Sequence, residues 1–75
     1  MLERLAAMPK PFQVVGIWRH ADGSTERRDY RPPQPRRPMA ENCANGLRRF
    51  IGKPDRTPQG TAVTLESVEV EERTL

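Results

Sequence analysis

The chain has 75 residues and a formal net charge of +3, from 13 Lys and Arg against 10 Asp and Glu; at this length about 60% of the unfolded surface is buried, so one thin-cored domain is the ceiling. One cysteine, Cys43, and one histidine, His20, exclude an internal disulfide and a four-ligand zinc site, two staples that small domains commonly use. No stretch has the length of a membrane span, or the charged start, apolar run and cleavage site of a secretory leader, so the expectation is a cytoplasmic protein that does not bind membranes.

In chain order, Met1, Leu5 and Met8 stand at i, i+4 and i+7, a spacing that allows two helical turns before Pro9 and Pro11 stop them. A helix so short is marginal without packing, and the competing expectation is that residues 1–11 fray. Residues 12–20 are rich in β-branched and aromatic side chains and predict a strand. Phe12, Val14 and Trp18 alternate onto one face and Val15 and Ile17 onto the other, which suits a central strand apolar on both sides. Gly16 marks a bulge or a close approach. Asp22-Gly23 tolerates the positive φ of a tight hairpin turn, so residues 25–30 return antiparallel, charged on most positions as an edge strand should be.

Residues 31–38 contain Pro32, Pro33, Pro35 and Pro38 and predict an extended connector, because each proline lacks an N–H and biases its predecessor toward extended backbone. The Pro32 to Pro35 spacing also matches a PxxP ligand, though a stiff crossover explains it more simply. Residues 39–53 set Ala40, Cys43, Leu47, Phe50 and Ile51 on one helical face, with basic residues late, as the helix dipole prefers. Asn45-Gly46 weakens this helix or caps a later start, and Gly52 followed by Pro54 stops it. Residues 55–60 read as turns. Residues 61–72 read as extended, with Val63 and Leu65 in one phase and Val68 and Val70 in the other, which either a bulge near Glu66-Ser67 or two short strands with a kink would reconcile, periodicity not separating the two. The fold class is therefore α+β, a small antiparallel sheet in ββαβ order packed on one helix, with the last strand beside the first.

Chemistry is sparse. His20, Asp22 and Ser24 contain the atoms of a catalytic triad but flank an exposed turn, where Asp-Gly-Ser is ordinary turn chemistry. Cys43 falls on the apolar helix face, where cysteine behaves as a small hydrophobe. There is no phosphate-binding glycine loop and no metal-ligand motif, so enzyme activity is not expected, and no cofactor or small-molecule substrate is indicated. The best functional candidates are the arginine doublets Arg27-Arg28, Arg36-Arg37 and Arg48-Arg49, with Arg19 and Arg31, and with Trp18 and Tyr30 for stacking. Side by side they would form a basic surface. Glu66, Glu69, Glu71 and Glu72 read as the wet face of the last strand.

From residue 12 to residue 72 the order of elements resembles that of several small phage-encoded proteins, among them inhibitors of host RNA polymerase and some anti-CRISPR proteins. The resemblance is one of layout and carries no site residues; it implies a binding function. The leading expectation is a protein-binding module, a phage-type modulator of a larger host complex. The alternative is a nucleic-acid-binding protein that uses the arginine doublets on phosphates. A third is a structural subunit in which Val15, Ile17 and Trp18 complete an interface.

Overall fold

The structure, a computed structural model, describes residues 10–73. The N-terminal turns and the fraying expected before residue 10 lie outside the described residues. Strands β1 (Phe12–His20) and β2 (Thr25–Gln34) form a hairpin, helix α1 (Arg37–Arg48) follows, and β3 (Pro54–Arg56) and β4 (Ala62–Glu72) complete a four-stranded sheet. All pairings are antiparallel and the order is β2-β1-β4-β3. As the α+β reading requires, among the described residues one helix lies on one face of one sheet, β4 sits beside β1, and β2 is at an edge. The order is β-β-α-β-β rather than ββαβ, because Pro54-Asp55-Arg56, read as a turn, pairs with β4. Those three residues are all exposed, so no hydrophobic alternation announces the strand. No helix of the described residues is long and apolar enough to cross a membrane.

β1 is buried on both sides, with Val14 and Val15 each 1% exposed. Its helix-facing residues meet a matching set on β4 only because β4 carries a bulge. Ile17 pairs with Ser67 and Trp18 with Leu65, leaving Glu66 without a β1 partner. The extra residue flips the phase, so Leu65 and Val68 both reach the core with Val14. From the helix come Ala40, Ala44 and Leu47, ringed by Phe12, Trp18, Tyr30, Cys43 and Val70. Two alanines at the contact let the helix approach the sheet closely.

Three expected boundaries move. The proline segment at 31–38 is not all connector: β2 runs through Pro32 and Pro33 to Gln34, and α1 begins at Arg37 with Pro38 in its first turn. An edge strand tolerates prolines where no neighbour needs their N–H, and the first helical turn needs none either. The register explains the rest. Phe12 pairs with Gln34 and Val14 with Tyr30, so β2 swings out, with Arg31 in the left-handed region at φ 67°. Gln13 fills the gap, donating its side-chain amide to the carbonyls of Val14 at 3.0 Å and Arg31 at 2.9 Å. The third moved boundary is the end of α1, which stops at Arg48 instead of Lys53, so Phe50 and Ile51 are not part of a helical core face.

Among the described residues no helix or strand covers the opposite face of the sheet. Charged pairs span it instead. Arg27 on β2 reaches Glu69 at 3.2 Å and Glu71 at 2.5 Å on β4. Arg73, just past β4, returns to Asp29 on β2 at 2.9 Å and holds Glu71 at 3.0 Å. Both cross β1, whose Val15 lies between Asp29 and Glu69 in register, and arginine stems are well suited to lie over such apolar ground.

Candidate interface around Trp18

Trp18 is on the helix side of β1, and its placement depends on Gly16 two residues earlier on the same face. A Cβ at position 16 would collide with the Cζ3 and Cη2 atoms of the indole, so the ring lies back along the strand over a residue that must lack a side chain. α1 ends close by. Phe50 N–H donates to Leu47 O at 2.9 Å and Ile51 N–H to Arg48 O at 3.2 Å, tightening the last turn. Gly52, at φ 84°, reverses the chain, and its N–H donates to Leu65 O at 2.8 Å, docking the turn onto β4. This reversal leaves Phe50 57% and Ile51 43% exposed.

The result is an open cleft of about 310 Å³ floored by Trp18, Leu47 and Leu65, walled by Phe50, and edged by Lys53 and Asp55. A second hollow of about 170 Å³ shares Trp18 and Asp55 with it and is lined also by Glu26, Arg28, Arg56 and Val63. Lys53 Nζ stands 5.9 Å from the Phe50 ring centre. Glu26 receives Arg28 and lies 3.4 Å from His20 Nε2. The Arg28 hydrogen bond is the main reason its carboxyl is held below the usual range. Arg56 donates a guanidinium hydrogen to Gly60 O at 3.0 Å, and Asp55 accepts the Arg56 backbone N–H at 2.7 Å.

The residues singled out by the sequence are dispersed. Arg27 and Arg28 take opposite faces of β2: Arg27 joins the pairs on the far face, and Arg28 holds Glu26 by the cleft. Arg19 holds Glu66. Arg31 lies 5.4 Å from the Tyr30 ring centre, and Tyr30 itself packs against the core. Arg36 precedes α1, and Arg37 sits 5.1 Å over the Phe12 ring, reaching Glu72 at 3.6 Å and Glu41 at 4.0 Å. Arg48 binds Glu41 at 3.4 Å, Asn45 at 2.8 Å and Val68 O at 3.2 Å, and Arg49 caps the helix. A twelve-residue helix, about 18 Å long, separates Arg36-Arg37 from Arg48-Arg49. Of these residues Trp18 lines the cleft and, with Arg28, the hollow beside it, while Arg19, Tyr30, Arg27, Arg31, Arg36, Arg37, Arg48 and Arg49 line neither. Sequence reasoning missed Phe50, Lys53 and Asp55 as surface groups of one site. The signal was the Gly52-Lys53-Pro54 stop, which placed against Phe50-Ile51 puts both outside the helix.

The hairpin cluster is structural in form. Asp22 accepts the Ser24 N–H at 2.9 Å and its hydroxyl at 2.6 Å, and these bonds hold its carboxyl below the ordinary value. His20 turns to Glu26, so the three groups make no relay. Cys43 is half-buried toward the core. Among the described residues no three or more His, Cys, Asp or Glu gather as metal ligands would. No family model, curated protein or solved structure matches the chain.

Proposed function

We propose that this chain is a non-enzymatic protein-binding module of the cytoplasm, a modulator of the phage type that works by occupying part of a larger partner through the cleft at Trp18. One observation carries the reading: a tryptophan-floored apolar cleft stands open against Phe50, which the end of α1 leaves exposed together with its chain neighbour Ile51. Exposed apolar groups clustered at one place are the usual mark of an interaction site in a small domain, and Trp and Arg are the residue types that most often anchor protein interfaces. Protein is favoured over nucleic acid because Arg19, Arg27, Arg28, Arg37 and Arg48 already hold carboxylates of the same chain, which reduces the cationic surface available to phosphates.

The test is affinity capture with Phe50→Asp beside the unaltered chain. Phe50 is more than half exposed, so the variant is expected to fold, as circular dichroism would verify. A specific protein retained by the parent and lost by the variant is the expected result. An identical set of captured proteins would sink the reading.

A further inference from the structure

Resting on that reading, we propose that the element taken by the Trp18 cleft is an acidic protein segment that inserts one large apolar side chain. The floor sets the first half. Trp18, Leu47 and Leu65 offer apolar surface with Phe50 as a wall, a concave setting for an aromatic or branched aliphatic anchor and not a flat platform for stacked bases. The second hollow shares Trp18 and Asp55 with the cleft, so a length of chain anchored in one lies beside the other.

Charge sets the second half. Away from the cleft Arg19, Arg27, Arg37, Arg48 and Arg73 each hold a carboxylate. Around the cleft the pattern changes. Lys53 edges the cleft and lies over Phe50, and Arg56 lines the second hollow. Neither of these two has a carboxylate partner among the described residues. Two carboxylates share the neighbourhood. Glu26 is occupied by Arg28 and faces His20, which leaves Asp55 as the only one there without a cationic side-chain partner among the described residues. The uncommitted charge at the mouth is thus positive, and a complementary partner is negative. Arg31 and Arg36 also lack carboxylate partners among the described residues, but they stand at the other end of α1, beside Tyr30 and the proline-bearing part of β2, away from the cleft.

Trp18 is the single tryptophan of the chain, so its emission reports directly on an occupant. The full chain is titrated with three short synthetic peptides: one with aspartates and glutamates around a central phenylalanine, one with lysines in place of the acids, and one with the acids kept and the phenylalanine replaced by serine. A single-stranded oligonucleotide is the fourth ligand. The acidic phenylalanine peptide is expected to shift the emission saturably, with affinity that falls as salt rises. The lysine and serine peptides are expected to bind roughly tenfold more weakly or worse. Lys53→Glu/Arg56→Glu should weaken the acidic peptide by a similar factor, whereas Arg27→Ala on the far face should leave it unchanged.

Equal or tighter binding of the lysine peptide, still lost in Phe50→Asp, would overturn the acidic assignment while leaving the cleft as a protein site. Preferred binding of the oligonucleotide would overturn it too, as would an emission that no peptide moves. Capture with Phe50→Asp then judges the broader reading separately.

Discussion

Gln13 is 3% exposed at the point where β2 leaves β1, and its amide donates to the carbonyls of Val14, Tyr30 and Arg31, the last 18 residues away. A buried carbonyl without a donor costs about 1 to 3 kcal/mol, so Gln13→Ala is expected to lower unfolding stability by about that amount in a urea titration. An unchanged midpoint would mean the carbonyls find other donors. Nothing in Phe12-Gln13-Val14 exposes this role, because the acceptor exists only once Arg31 adopts a left-handed backbone. Gly16 is the opposite case, its need for close approach being legible from a glycine inside a β-branched run. What approaches was not legible: it is the indole of Trp18, folded back over it. An alanine there forces a rigid ring to move, which typically costs about 1 to 3 kcal/mol. Gly16→Ala should therefore lower stability and shift the Trp18 emission toward the red, and an emission identical to the parent would refute the geometry.

Among the elements, α1 has one plain weakness. Gly46 lies inside the helix with open space where a Cβ would go and without a positive φ. Glycine costs about 1 kcal/mol relative to alanine in such a place, so Gly46→Ala should raise unfolding stability by roughly 0.5 to 1 kcal/mol, read as a higher urea midpoint. A lower midpoint would show that the helix needs the glycine for some contact beyond backbone propensity. The end of the same helix was misread because Leu47, Phe50 and Ile51 keep the helical period past Arg48. Periodicity records which residues could share a face and is silent on where the backbone stops being helical. In β4 the same kind of evidence went half way. Two apolar phases in one extended run allow a bulged strand or two kinked ones, and the pairing, which leaves Glu66 without a β1 partner, makes it one bulged strand. β3 carries no such pattern, since it is held by backbone pairing alone, and the prolines of β2 are compatible with a strand only because that strand is an edge.

At the scale of the whole molecule, sequence reasoning saw the signs of the charges but not their partners. The arginines entered as candidates for binding others and the glutamates of β4 as a wet face, yet Arg19, Arg27 and Arg37 are spent on Glu66, Glu69, Glu71 and Glu72. Such pairs join positions more than thirty residues apart across the sheet, so only the register reveals them. Their consequence is a dependence on acid. Arg73 hydrogen bonds are the main reason that Asp29 and Glu71 are held below their ordinary values of 3.8 and 4.5, and Arg73 is itself pushed further toward its charged form. A carboxyl whose folded value is depressed binds its proton more readily when unfolded. Its contribution is therefore complete above the unfolded value and is lost as pH falls through the folded one. The groups are exposed and screened, so the effect is modest and salt-sensitive. Urea midpoints taken from about pH 6 down to about pH 3 should fall in the parent and fall less in Arg73→Ala, with the difference shrinking in high salt. Equal slopes for the two proteins would mean that these pairs decorate the far face without holding it, and that the stability of the sheet rests on the helix side alone.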